Sequence, residues 1–162
     1  MTDQPTTQLA EAIATAAAAS GRTIAVAESL TAGHTAALLG GAPDASQWFR
    51  GGVVAYAPEV KFDVLGVTRG PVVRASCARE MAQGARRRLG ADIGVAATGV
   101  GGPGPDEGRP AGTAYLACIG PDGSVEERAV RFEGPPERVV EQTVLLMLRL
   151  VYEALVDVSV LG

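Results

Sequence analysis

Aromatic residues make up only 4% of this 162-residue chain, and cysteine, histidine and lysine are scarcer still, at two, one and one. Each shortage excludes something. A core poor in aromatics and rich in Ala, Val and Gly belongs to close-packed α/β layers rather than to an aromatic-rich β-sandwich. Cys77 and Cys118 lie in apolar segments at no metal-like spacing, so they read as buried reduced thiols of a cytoplasmic protein, not a zinc site or a disulfide framework. With no His/Cys/carboxylate cluster at ligand spacing, no metal is expected.

Positive charge is also thin, with a net charge of −4 and a pI near 5.0, which argues against a nucleic-acid partner. The one basic run, Arg86-Arg87-Arg88, ends a helical pattern, where cations complement the carbonyl end of the helix dipole. No charge-free apolar run reaches about 18 residues, and no basic n-region precedes one, the first basic residue being Arg22. Neither membrane spanning nor secretion is expected.

What is present reads as one domain over residues 1–162. Helical patterns cover 7–19, Thr31 to Leu39, Val73 to Leu89 and Pro136 to Leu155. Strands are predicted at Arg22 to Ala27, Gly51 to Tyr56 and Asp92 to Ala97, and as a hairpin, Gly112 to Ile119 with Val125 to Phe132, about Pro121-Asp122-Gly123. Alternating helices and strands with one hairpin predict a three-layer α/β/α sandwich on a mixed, mostly parallel sheet.

Two loops concentrate unusual chemistry. Ala27-Glu28-Ser29-Leu30-Thr31-Ala32-Gly33 takes a strand end into a helix start, the crevice where open α/β sheets bind ligands. Ser29 and Thr31 are helix caps on the plain reading; free amides through Gly33 also suit an oxyanion or a phosphate. The second loop, Thr98 to Pro105, has four glycines within seven positions, which lets backbone approach an anion. It matches neither the Lys-containing phosphate loop nor GxGxxG.

Thirteen of the fourteen basic residues are Arg, so the single Lys61 needs its own explanation. Arg stays charged in proteins, whereas a desolvated Lys can lose its proton and act as a general base. The only histidine, His34, stands five residues after Ser29 in the following helix and is poorly placed for a Ser-His-Asp triad. A Ser29 nucleophile here therefore depends on Lys61, with Tyr56 a candidate proton relay.

The strings AESLTAGHTAALL, FRGGVVAYAPEVKFDVLGV, AREMAQGARRRLGADIGVAATGVGGPGPDEGRPAGTAYLA and FEGPPERVVEQTV, in that order, resemble the successive blocks of the CinA C-terminal domain family. Enzymatic members of that family are nicotinamide-nucleotide amidases, which convert nicotinamide mononucleotide to nicotinate mononucleotide and ammonia. The resemblance implies a stand-alone amidase-type domain, a C–N hydrolase on a linear amide that needs no cofactor and takes a small nucleotide as its partner. It assigns Ser29 as nucleophile and Lys61 as base, with Tyr56 in the same block. It also implies that Thr31, Gly33, Thr98, Gly99, Gly102 and Pro103 line the substrate pocket and that Arg138 reaches the phosphate. Neither residues nor resemblance sets the oligomeric state, and a homo-oligomer stays open.

The chain departs from the family pattern at four places. Ala32 and His34 stand where Gly and an apolar or aromatic residue are usual, Ala57-Pro58 replaces Ser-Asn, and Glu141 replaces an Arg. A member that binds a nucleotide without turning it over is the alternative these departures raise.

Overall fold

The computed structural model describes residues 4–160, with side chains through 156; the outermost positions of the expected 1–162 domain, 1–3 and 161–162, lie outside the described residues. The elements in chain order are α1 (Gln4–Ser20), β1 (Ile24–Glu28), α2 (His34–Gly40), α3 (Ala45–Trp48), β2 (Phe49–Val54), α4 (Pro58–Leu65), α5 (Ala75–Arg88), β3 (Ile93–Gly99), β4 (Thr113–Ile119), β5 (Val125–Arg131) and α6 (Pro136–Val160).

The five strands form one sheet in the order β2-β1-β3-β4-β5. β1 pairs parallel with β2 and β3, and β4 pairs antiparallel with β3 and β5. Four of the five strands therefore run the same way. Parallel neighbours need a crossover, and α2 with α3, then α4 with α5, supply the two. The hairpin needs only a tight turn, closed by Gly123 N–H donating to the Gly120 carbonyl at 3.0 Å.

Period-two alternation explains why both faces are covered. In β1, Ile24 and Val26 join one core with α1, α2, α3 and α6, while Ala25 and Ala27 join a second with α4 and α5. All five residues of β1 are buried, as a central strand of a doubly covered sheet requires. The second core is built on alanine and glycine because α5 lies very close to its neighbours. A Cβ on Gly94 would sit 2.4 Å from the Ala82 carbonyl oxygen, and one on Gly84 would sit 2.2 Å from that of Leu65. Larger residues there would push α5 off the sheet and α4 off α5.

Charge does little of the stabilising. The ion pairs among the described residues join side chains that are 38–71% exposed, a setting where a pair is worth about 1 kcal/mol or less. The Arg86-Arg87-Arg88 run does end α5, and Arg86 ties it onward by donating Nε to the Asp92 carbonyl at 2.9 Å.

Several element assignments differ from the sequence reading: β2 runs Phe49–Val54 rather than Gly51 to Tyr56, and the short α3 has no counterpart in it. The segment Thr31 to Leu39 is helical only from His34, because Ala32 and Gly33 adopt positive φ of 48° and 96° and form a turn. Lys61, in a stretch to which the sequence reading assigns no element, lies inside a helix, α4. Pro58 at its first turn, extended Ala57 before it and left-handed Gly66 after it define that helix.

Candidate active site

Because β1, β2 and β3 are parallel and β5 runs with them, Glu28, Val54, Gly99 and Arg131 end at one edge of the sheet. The segments singled out in the sequence all emerge there. Ser29 follows β1, Lys61 follows β2 in α4, the glycine-rich loop follows β3, and Arg138 opens α6 beyond β5. This is the crevice beyond strand C-termini where open α/β sheets place ligands.

The turn carrying Ser29 is organised by Glu28. Its carboxylate is fully buried and accepts the Thr31 hydroxyl at 2.7 Å, the Thr35 N–H at 2.9 Å and the Ala36 N–H at 3.1 Å. Two of those donors are first-turn amides of α2, so Glu28 caps the helix that neither Ser29 nor Thr31 caps through its own side chain. Thr31 is 0% exposed and turned inward onto Glu28, which makes its side chain a brace for the turn. The Ala32 and His34 amides are already engaged, with the Ser29 and Thr31 carbonyls at 3.1 and 3.0 Å. His34 is exposed and its Nδ1 meets the Thr31 carbonyl, away from any triad geometry.

Lys61 is 1% exposed, and its Nζ donates to the Ala55 carbonyl at 2.7 Å and the Tyr56 carbonyl at 3.3 Å. Ala55 in turn donates its N–H to the Glu28 carbonyl at 2.7 Å, so two hydrogen bonds join the amine to the residue preceding Ser29. Burial holds the Lys61 amine below its usual range, against the opposing pull of Cys77 and Glu107. A neutral amine has two N–H donors and one lone pair. Two carbonyls that take both donors leave the lone pair free to accept a proton. Tyr56 joins this arrangement through its carbonyl, while the residue itself is 69% exposed.

The third wall is the glycine-rich loop. Thr98 is buried and donates its hydroxyl to the Val72 carbonyl at 2.9 Å. Gly99 pairs so closely with β4 that a Cβ would lie 2.3 Å from the Thr113 carbonyl oxygen. Gly102, at φ 84°, precedes a cis bond to Pro103. Further along, Glu107 accepts from the Val72 N–H at 2.8 and 3.0 Å and from the Val73 N–H at 2.9 Å. Cys77 is buried beside this wall, where desolvation pushes its thiol up to about 11, and Cys118 is buried in the opposite core, where burial pushes its thiol up to about 12.

Arg138 stands at the start of α6 with its guanidinium 3.7 Å from Glu141, both side chains more than half exposed. The structure thus brings Ser29, Lys61, Thr98 and Gly99 to one sheet edge as buried or half-buried groups, and leaves Tyr56 and Arg138 at the surface. Glu28 and Glu107 were missed as organising residues. Glu28 carried a readable signal, an acid closing a fully apolar strand just ahead of a helix; Glu107 carried none, because its partners are backbone amides 34 and 35 residues away. Among the described residues no group of three His, Cys, Asp or Glu could hold a metal ion, and no helix is long and apolar enough to cross a membrane.

The chain matches the family model of the CinA C-terminal domain over residues 6–155. It is 47% identical over 134 residues to a CinA-like protein of Frankia casuarinae, covering 80% of this chain and 31% of that protein. It is 43% identical over 119 residues to a CinA-like protein of Thermosynechococcus vestitus, covering 70% of this chain and 29% of that protein. The chain therefore matches only about a third of the length of these curated relatives. Among solved structures, a competence-damaged protein (CinA) superfamily protein from Klebsiella pneumoniae superposes with a TM-score of 0.89 at 35% identity, over 94% of this chain and 98% of that one. The competence/damage inducible protein CihA of Agrobacterium tumefaciens gives 0.90 at 28% identity, over 95% and 98%.

Proposed function

The chain belongs to the CinA C-terminal domain family, and from that footing we propose that it is a cytoplasmic amidohydrolase that converts nicotinamide mononucleotide to nicotinate mononucleotide and ammonia. The observation that supports this most directly is the buried Lys61 amine whose Nζ donates to the Ala55 and Tyr56 carbonyls.

In this reading the carboxamide lies over Ser29, and the nucleotide phosphate faces backbone amides and Arg138. Neutral Lys61 takes the Ser29 hydroxyl proton as the oxygen attacks the carboxamide carbon. The oxyanion is held by N–H groups of the Ser29–Gly33 turn that are not already engaged within it, a class of donor worth about 3–4 kcal/mol each elsewhere. Lys61 returns the proton to the departing nitrogen, the C–N bond breaks and ammonia leaves. Water, deprotonated by the same amine, then cleaves the acyl-serine ester and restores the free hydroxyl. Tyr56 contributes through its carbonyl, which orients Lys61.

Ammonia release from nicotinamide mononucleotide by the purified protein tests the proposal. Ser29→Ala and Lys61→Arg are expected to abolish it, and full activity in Lys61→Arg would remove the base assignment.

One observation favours a second reading, nucleotide binding without turnover: the Arg138 guanidinium, the expected phosphate ligand, already faces the Glu141 carboxylate. That reading predicts a thermal shift with the nucleotide and no ammonia.

A further inference from the structure

The glycine-rich loop is docked by its own side chains at two points on one short segment. Thr98, at its start, holds the Val72 carbonyl, and Glu107, near its end, holds the Val72 and Val73 amides. The Val72 peptide group is thus gripped from both sides. Glu107 adopts a left-handed φ of 49°, a conformation non-glycine residues occupy at a cost, and its neighbours Asp106 and Arg109 close the turn through reciprocal backbone bonds of 3.0 and 2.8 Å. A tight turn that holds a strained carboxylate against two amides has a fixed charge position.

We propose that Glu107 is a positioning residue of this site, whose carboxylate docks the glycine-rich loop on the Val72-Val73 wall and thereby places a fixed negative charge where it acts on Lys61. The catalytic consequence rests on the amidase reading of Lys61; the docking and the charge placement do not.

The other groups around the amine single out Glu107. Two groups able to carry negative charge act on Lys61, Cys77 from α5 and Glu107 from beyond the glycine-rich loop. Cys77, itself faced by Arg74 and Glu80, has its thiol pushed up to about 11 and is uncharged at neutral pH. Glu107 is then the carboxylate that opposes the desolvation of Lys61, keeping its proton affinity high enough to take the Ser29 hydroxyl proton. Its geometry also permits a separation of charge from docking. Oε1 accepts from both Val72 and Val73, at 2.8 and 2.9 Å, and Oε2 from Val72 at 3.0 Å, so a glutamine's amide oxygen can keep the two Oε1 bonds while the Oε2 bond and the charge are lost.

Lys61 is the only lysine in the chain, so lysine labelled with 13C and 15N reports one side chain, and its titration can be followed by NMR without any activity. Wild type is compared with Glu107→Gln, Glu107→Ala and, as a control for net charge, the exposed Glu11→Gln. The Lys61 midpoint is expected to fall by roughly half to one pH unit in both Glu107 variants and to stay within about 0.2 in Glu11→Gln. Val72 and Val73 amide signals should move further in Glu107→Ala, which loses every bond to them, than in Glu107→Gln, which can keep the two to Oε1. An unchanged midpoint in Glu107→Gln, or an equal fall in Glu11→Gln, overturns the proposal. If the protein releases ammonia, the acid limb of kcat/KM in Glu107→Gln should move down by the same amount. If it releases none, the amidase reading fails and the titration still decides the role of Glu107.

Discussion

Glu28 accepts the Thr31 hydroxyl at 2.7 Å with both residues fully buried, so the turn that presents Ser29 is braced from inside by a carboxylate and a threonine three residues apart.

Removing that hydroxyl while keeping the side-chain shape should loosen the turn. Thr31→Val leaves a buried carboxylate oxygen one donor short and is expected to lower stability by about 1–3 kcal/mol. Thr31→Ser should recover most of it. Chemical denaturation of the three proteins checks the order, and equal stability for Thr31→Val and wild type would show that the bond does not brace the turn.

Lys61 supplies a pH test whose sign is set by burial. Its folded-state proton affinity lies below the unfolded value of 10.5, so between the two the unfolded chain binds more protons and stability rises with pH. Lys61→Met lacks this dependence. The stability of wild type relative to Lys61→Met should therefore increase as the pH rises towards 10.5, and any ammonia release by wild type should increase along with it. Denaturation midpoints at three pH values are sufficient. A difference that stays flat or falls contradicts a depressed affinity.

Ala32 occupies the left-handed region at φ 48°, where a Cβ is unfavourable by about 1–2 kcal/mol and where the family usually has glycine. Glycine relieves that and gives back part of the gain through the freedom of the unfolded chain, about 0.4–1 kcal/mol. The net expectation for Ala32→Gly is a rise of up to about 1 kcal/mol in stability with Ser29 left in position. A lower melting temperature would show that Ala32 makes contacts that outweigh the strain.

Arg138 and Glu141 test the phosphate. Their pair is exposed, 3.7 Å apart and one helical turn in length, so Glu141→Ala should change stability by less than about 0.5 kcal/mol. Affinity for a phosphate-bearing ligand should rise severalfold as the guanidinium is released, and fall in Arg138→Ala. Calorimetry with nicotinamide mononucleotide distinguishes the outcomes; no change in either variant takes Arg138 out of the binding site.

The layers were legible because β1 and β3 are short, apolar up to the polar residues near their ends and bounded by turn residues, and because Cys77, Ala78, Met81, Ala82 and Ala85 recur at helical spacing on α5. α4 was not. It buries only Lys61 and Leu65, and Ala57 offers no capping side chain. The start of α2 was read three residues early because Thr31 looks like a cap, whereas the carboxylate that caps the helix belongs to the strand before it. Local patterns report what a residue does to its chain neighbours. Ser29 and Lys61 stood out by composition and motif, but the bond from Lys61 to Ala55 depends on β2 pairing beside β1, which is a long-range fact.

The two outer strands of the sheet have a consequence for solubility. β5 carries Glu126, Glu127, Arg128 and Arg131, and β2 meets β1 across a register shift, with Arg50 and two glycines in its six residues. Charges on one border and an irregular, glycine-softened strand on the other deny a second chain the flat template it needs to add a strand, which suits an open sheet of five strands.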